Sequence, residues 1–279
     1  MAQPMAIMTN VGSMSAQNNL VHTGSMMSKS ISRLSSGLRV QSAADDAAGM
    51  AVSENMRAQL RGFQQALRNA NDGVSVLQTG ESGYQSISDM LVRMRELAVQ
   101  SSTDSLSDTE RAYLNTEFTD LSSEIDRVSN TVEYNGIHLL DGTAGTAGTL
   151  TFQVGTRNSA DDRITIALQD IDSTALGVNA SSVDTLTNSQ TAIDDIDAAL
   201  DTLSTRRSSL GAAINQLTQA STHLGRTAEN YGAAVGQIRD TDVAAESANF
   251  AKAQVLQQAG VAMLAQANST PQLALRLLG

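Results

Sequence analysis

Residues 193–238 read IDDIDAALDTLSTRRSSLGAAINQLTQASTHLGRTAENYGAAVGQI. In this stretch Ile193, Ile196, Leu200, Leu203, Arg207, Leu210, Ile214, Leu217, Ser221, Leu224, Ala228, Tyr231, Val235 and Ile238 recur at alternating spacings of three and four. A mean spacing of 3.5 keeps these side chains on one stripe of a helix with 3.6 residues per turn. The stripe is sustained for 46 residues, or ~70 Å at ~1.5 Å per residue. Only Arg207 and Ser221 are plainly polar in it. Ala192, Ala199, Ala213, Ala220 and Ala234 line one flank, where an exposed two-stranded coil would carry charges. Small flanking residues imply neighbours on more than one side, hence a bundle of three or more helices, packed tightest around Ile214 and Leu217.

Working outward, a second seam runs through Leu114, Phe118, Leu121, Ile125, Val128 and Val132. Ser107-Asp108-Thr109-Glu110 opens it as a capping box, in which the Ser and Glu side chains satisfy backbone N–H groups left free at a helix start. A further helix is predicted over about 44–101, with Val76, Ile87, Met90, Met94 and Leu97 on its apolar side. Ser42-Ala43-Ala44-Asp45 is its expected cap, and Asp45 and Asp46 suit the positive end of the helix dipole. The short polar link at 101–107 predicts that this helix and the next pack as an antiparallel hairpin. The only prolines are Pro4 and Pro271. Since proline costs ~3 kcal/mol inside a helix, a proline-free 5–270 accords with very long helices.

Between these helices the texture changes. Asn135-Gly136 and Asp141-Gly142 are turn dipeptides. Leu150, Phe152 and Val154, then Ile164, Ile166 and Leu168, alternate with period two, so 133–180 is predicted as a small β-hairpin region. Residues 5–36 and 244–267 could form amphipathic helices, but they are poor in large apolar side chains. They are expected to be disordered in the free chain and to order by packing on each other and on neighbouring molecules.

Chemistry is hard to place on this chain. It has no Cys, which excludes thiolate catalysis, disulfides and cysteine metal sites. His22, His138 and His223 lie in separate segments without a carboxylate or second His at ligand spacing. Metalloprotease, nucleophile-elbow and P-loop motifs are absent from the sequence. The Gly-rich 142–148 lacks the Lys-Ser/Thr that a phosphate cradle needs. Asp161-Asp162 and Asp194-Asp195 lack the alternating spacing and Gly of a calcium loop. No metal, cofactor or catalytic residue is expected. A net charge of −11 with 18 Lys and Arg argues against nucleic acid. No run reaches the ~18–20 apolar residues of a membrane span, and the first 28 residues, without Lys or Arg, predict no cleavable signal peptide.

Several stretches, taken in order, carry a family resemblance. Residues 32–50, Ser-Arg-Leu-Ser-Ser-Gly-Leu-Arg-Val-Gln-Ser-Ala-Ala-Asp-Asp-Ala-Ala-Gly-Met, resemble the N-terminal signature of bacterial flagellin. So do Arg68-Asn69-Ala70-Asn71-Asp72-Gly73, Met94-Arg95-Glu96-Leu97-Ala98-Val99-Gln100, Glu124-Ile125-Asp126-Arg127-Val128 and Tyr134-Asn135-Gly136. Leu264-Ala265-Gln266-Ala267-Asn268, followed by Pro271 and the closing leucines, is similar to the flagellin C-terminus. The resemblance covers nearly the whole chain and lacks the variable outer domains that many relatives insert, so it implies a minimal flagellin. It implies a mainly α fold: a long-helix coiled-coil bundle with a small β-hairpin region, its termini pairing as an inner coiled-coil domain. The inner polymerisation domain would comprise 1–47 and 241–279, and the helical core domain 48–240.

The resemblance further implies a self-assembling structural subunit of the extracellular flagellar filament, serving motility. The implied partners are copies of the chain, an export chaperone holding the C-terminal segment, the type III export apparatus, and hook-associated and cap proteins. The related hook–filament junction protein is the alternative; it usually has proline just after the Asp pair, where this chain has Ala47. A secreted enzyme on a helical scaffold is the alternative from another class. Finally, the resemblance maps a contact for the flagellin-sensing Toll-like receptor onto Arg93, Leu97 and Glu117. These are expected to be exposed in the monomer and covered when subunits stack. Arg93 shares a polar stripe with Asp89, Glu96 and Gln100, whereas Glu110, Glu117 and Glu124 also recur every seven residues, as coiled-coil flank charges do.

Overall fold

The computed structural model describes residues 9–278, with side chains described through 269. Among the described residues five α-helices carry the chain: α1 (Val11–Ser36), α2 (Ala47–Ser101), α3 (Asp108–Thr131), α4 (Leu186–Arg239) and α5 (Val243–Leu278). Two hairpins lie between α3 and α4. The first pairs β1 (Glu133–Tyr134) with β2 (Ile137–His138), and the second pairs β3 (Thr149–Gln153) with β4 (Arg163–Ala167). The chain forms two compact units, one of residues 59–230 and one of 1–58 with 231–279. The division falls within the continuous helices α2 and α4, inside the positions 47/48 and 240/241 expected from the sequence.

In the larger unit the helices run antiparallel in turn. Arg93 of α2 meets Glu117 of α3, and further along α2 a side chain added at Gly83 would strike Leu140 and come within 3.1 Å of Val132. Toward α4, Arg95 pairs with Asp197 at 2.6 Å, Glu81 with Arg207 at 2.6 Å, and Asn71 accepts from Ser221 at 3.0 Å. The two polar seam residues, Arg207 and Ser221, therefore each have a partner on α2. The core joins Leu77, Ile87, Leu91, Met94 and Leu97 of α2 with Phe118 and Ile125 of α3 and Ile196, Leu203, Leu210 and Leu217 of α4.

The seam of α4 is rotated from the expected one. Ile196, Leu203, Leu210, Leu217 and Leu224 are buried, and so are Ala192, Ala199 and Ala213 on the flank, whereas Ile193, Leu200 and Ile214 are only half-buried. The buried face is thus centred between the leucines and the alanines, because the alanines admit closely packed neighbours and the wider stripe of a globular bundle forms. Ile214 sits at its edge.

Local signals place the helix starts. Ser107 and Glu110 form the reciprocal capping box: the Ser107 N–H donates to Glu110 at 2.7 Å and the Glu110 N–H donates to Ser107 Oγ. The Ser107 N–H, and next the Ser107 hydroxyl, both donating to the Glu110 carboxylate, hold its pKa below the usual range. The α2 cap differs from the expectation. Asp46 accepts the Gly49 N–H at 2.8 Å and is the cap, whereas Asp45 accepts from Ser42 and pairs with Lys29 at 2.7 Å. Asp46 takes the role because helix begins at Ala47, one residue beyond it. Between the helices, Arg111 is almost fully buried and donates to the carbonyls of Ser101 and Thr103, which closes the α2–α3 turn.

Strand structure occupies less of 133–180 than the turn signals and alternation predict. Asn135 and Gly136 both have positive φ, as the two-residue turn between β1 and β2 requires. In the second hairpin Leu150 faces Ile166 and Phe152 faces Ile164. Residues 168–185 have no strand, yet Leu168, Ile171, Leu176, Val178 and Val183 are buried over the bundle. Their backbone is held by side chains from the helices: Asp126 accepts the Ser173 N–H at 2.7 Å and Asn115 the Val183 N–H at 2.8 Å. Helix side chains here substitute for a ladder partner.

In the smaller unit α1 and α5 pack antiparallel. Asn10 caps α1 and donates to the Ala267 carbonyl at 2.8 Å. The Leu20 side chain lies against Gly260, where an added Cβ would come within 3.0 Å. Ser30 donates to the buried Glu246, which also faces Arg33 at 3.5 Å. Gly37, with φ of 73°, ends α1 in the left-handed region where glycine is free of strain. The following linker pairs with the α4–α5 linker: Arg39 donates its backbone N–H to Arg239, and Thr241 donates to Gly37. The Arg39 guanidinium caps the C-terminus of α4 through the Ile238 carbonyl at 2.7 Å. Of the segments 5–36 and 244–267, whose composition predicts disorder, residues 11–36 and 244–267 are helical in the single chain because each provides the other's packing surface, and 5–8 lie outside the described residues.

Candidate functional site

The α2–α3 hairpin sets out the three residues singled out in the sequence. Arg93 and Glu117 come together across it: Arg93 Nη2 lies 2.8 Å from Glu117 Oε1, and Nη1 lies 3.0 Å from Glu96 Oε2. The bond to Glu117, and next that to Glu96, holds the guanidinium pKa above its ordinary value. Both Arg93 and Glu117 are about half exposed, so the pair adds little to stability. It is a fixed, solvent-facing array of one cation between two carboxylates.

Leu97 is elsewhere. It is 1 % exposed and belongs to the core, against the expectation that it is surface-accessible in the monomer. The reason is helical phase. Met94, Leu97 and Ala98 follow Leu91 on the buried face, whereas Arg93, Glu96 and Gln100 point away. The apolar side chains that do reach the surface here are Val92 and Val99, which with Arg95, Glu96 and Gln100 line a shallow depression on α2. Their spacing of seven, offset from the Met94–Leu97 stripe, is the signal that could have found them.

The seven-residue recurrence of glutamates has no single role. Glu110 completes the capping box, Glu117 pairs with Arg93, and Glu124 pairs with Arg127 at 2.5 Å on its own helix. Glu117, reaching from α3 to Arg93 of α2, makes the interhelical pair that a coiled-coil flank charge makes.

A second surface lies on the paired termini. Thr23, Ser30, Ala253 and Glu246 are their fully buried residues, accompanied by the half-buried Leu20, Met27, Leu34, Phe250 and Leu264. Ten further large apolar side chains are left outward: Val11, Met14, Val21, Met26 and Ile31 on α1, and Val243, Val255, Leu256, Val261 and Met263 on α5 are all exposed. An apolar display of this kind on two helices marks a surface that is covered by another molecule. At its base Lys29 holds the Asp45 carboxyl at a pKa of about 2, chiefly through their hydrogen bond.

Among the described residues no three His, Cys, Asp or Glu side chains are grouped to hold a metal ion. No described helix is long and apolar enough to cross a membrane.

Comparison with known proteins gives the chain its relatives. Residues 7–145 match the family model for the bacterial flagellin N-terminal helical region, and residues 193–278 match that for the C-terminal helical region. The chain is 42% identical over 274 residues to a flagellin of Halalkalibacterium halodurans, covering 98% of this chain and all of that one. It is 37% identical to flagellin FlaB1 of Treponema pallidum and 36% identical to a Bacillus subtilis flagellin, at the same coverage of both chains. Among solved structures, Bacillus cereus flagellin aligns with a TM-score of 0.50 and 27% identity, over 56% of this chain and 88% of that one. A putative flagellar hook-associated protein of Vibrio parahaemolyticus aligns with a TM-score of 0.57 over 70% of this chain and all of that one; at 15% identity this likeness is one of fold.

Proposed function

This chain belongs to the bacterial flagellin family, and from that membership we propose how its surfaces divide the work of a filament subunit. It is a structural subunit of the bacterial flagellar filament, self-assembling into an extracellular polymer. Nothing favours the hook–filament junction alternative. In our reading the unit containing α1 and α5 is the inner, polymerising part, and the bundle of 59–230 is the outer core. One observation carries this division: among the described residues the α1–α5 pair leaves ten large apolar side chains, Val11, Met14, Val255 and Met263 among them, in water and fully buries none larger than Glu246, whereas the bundle places Leu77, Ile87, Leu91 and Leu217 inside. Burying such side chains against a neighbour is the main favourable term in association.

The shallow α1–α5 contact also supports passage through the type III export apparatus, with a chaperone holding the C-terminal segment. A helix pair closed by Thr23, Ser30 and Ala253 costs little to open, and a chain without Cys crosses no redox boundary at risk. Hook-associated and cap proteins would meet the same α1–α5 surface at the filament ends. The chain acts by assembly rather than by catalysis.

For the flagellin-sensing Toll-like receptor we place the contact on Arg93 and Glu117, while Leu97 belongs to the core. The support is their geometry: a half-exposed guanidinium held between Glu117 and Glu96 presents fixed donors at little ordering cost on binding. This face would be covered when subunits stack lengthwise. The test is a reporter-cell dose response with monomeric Arg93→Ala and Glu117→Ala, with melting curves alongside. Potency should fall by about tenfold or more in each, with melting shifted only slightly. Wild-type potency in both variants would remove the contact from this face.

A further inference from the structure

We infer that the assembly surface of this flagellin is a methionine-oxidation site, at which peroxide-class oxidants acting on the free subunit block polymerisation while leaving the core bundle folded. The inference rests on the assembly reading above and specifies a modification of that same surface. Of the eleven methionines, only Met90 and Met94 lie in residues 59–230; all the others fall in the smaller unit. In the bundle Met94 is 0 % exposed. On the terminal helices Met14 is 58 % and Met263 65 % exposed, and Met26 is exposed too. Met263 stands at the groove between α1 and α5, beside Leu20, Leu256 and Gly260, among the apolar side chains that a neighbouring subunit would cover.

Thioether reactivity follows exposure, so among the described methionines Met14, Met26 and Met263 react first, ahead of the half-buried Met27, Met50, Met56 and Met90 and the buried Met94. A peroxide transfers one oxygen atom to the sulfur: the O–O bond breaks, an S=O bond forms, the sulfur loses two electrons, and the peroxide leaves as water. The product is a polar, strongly accepting sulfoxide where a flexible apolar group stood. In the free subunit this costs nothing, because the side chain is in water. In the polymer the sulfoxide must be buried without a matched donor, which penalises the assembled state alone. A leucine would pack as well at these positions and could not respond. Polymerisation itself would shield the sulfurs, so free subunits are the sensitive form.

The experiment uses the full chain as monomer, treated with hydrogen peroxide and desalted. It is then induced to assemble with ammonium sulfate, which strengthens apolar burial, and sedimented. The concentration needed to pellet should rise by about tenfold or more. Peptide mass spectrometry should find sulfoxide at Met14, Met26 and Met263 before Met94, the far-ultraviolet circular dichroism of the bundle should be retained, and methionine sulfoxide reductases should restore pelleting. The triple variant Met14→Leu, Met26→Leu, Met263→Leu, scored as oxidised against its own unoxidised sample, should lose most of the effect. If that variant does not pellet unoxidised, reductase rescue of the parent decides. Oxidised parent that pellets like its untreated control, an effect undiminished in the triple variant, or Met94 oxidised as fast as Met263 would each overturn the inference. Failure of the untreated parent to pellet would instead bring down the assembly reading, and this inference with it.

Discussion

Leu217→Asp should unfold the bundle of residues 59–230. Leu217 is fully buried on α4, within contact distance of Gly73 on α2, and belongs to the single apolar cluster that joins α2, α3 and α4. A carboxylate there has no cation or donor to meet it, and an unpartnered buried charge costs several kcal/mol even after its pKa rises to neutralise it. Domains of this size have ~5–15 kcal/mol of stability in total. Ile214→Asp, at the half-buried edge of the same helix, should cost distinctly less because the side chain can turn toward water. Asp201→Ala on the exposed face should change stability by less than ~0.5 kcal/mol. Urea melts of the three variants would rank them in that order. If Ile214→Asp proved as damaging as Leu217→Asp, the buried face would have to be re-centred on the original three-four seam.

The second large effect separates stability from recognition. Leu97→Ala removes a fully buried side chain between α2 and its neighbours, and such truncations cost ~2–5 kcal/mol through lost transfer energy and the cavity left behind. Any loss of receptor signalling or of assembly in this variant should follow the fraction folded. Measured at a temperature where the variant is fully folded, its signalling should lie within a few-fold of wild type, whereas Arg93→Ala remains impaired. Unchanged melting together with lost signalling would place Leu97 in the interface after all and contradict its burial.

Most of the fold was legible because helices announce themselves locally. Ser107 and Glu110 fix the start of α3 whatever surrounds them, and a period of 3.5 over 46 residues admits little besides a helix. The phase of α4 was harder, since periodicity locates an apolar stripe but not the neighbours that press on it; Ala199 and Ala213 become core only when α2 and α3 are in place. That strand pairing stops at Ala167 was not legible for a related reason. Asp126 and Asn115 organise residues 168–185 through long-range bonds that no local pattern encodes.

The recognition residues divide along the same line. The Arg93–Glu117 pair could be anticipated from opposite charges facing each other on the two arms of an antiparallel hairpin. Leu97 stood on the apolar side in the periodicity and on the surface in the resemblance, and the periodicity was the physical constraint. At the termini, composition spoke for disorder because Thr23, Ser30 and Ala253 are weak core formers taken singly. It could not register that α1 and α5 offer each other complementary small-residue faces, nor that their larger apolar residues would be left over for a neighbour.

Assembly by that leftover surface is the central claim, and electron cryomicroscopy of the purified full chain, concentrated in ammonium sulfate, tests it most directly. The account predicts helical filaments in which α1 and α5 lie innermost and Val11, Met14, Val21, Val255 and Met263 pack against other subunits. Filaments that left these side chains in solvent, or a chain that stayed monomeric at every concentration, would contradict it.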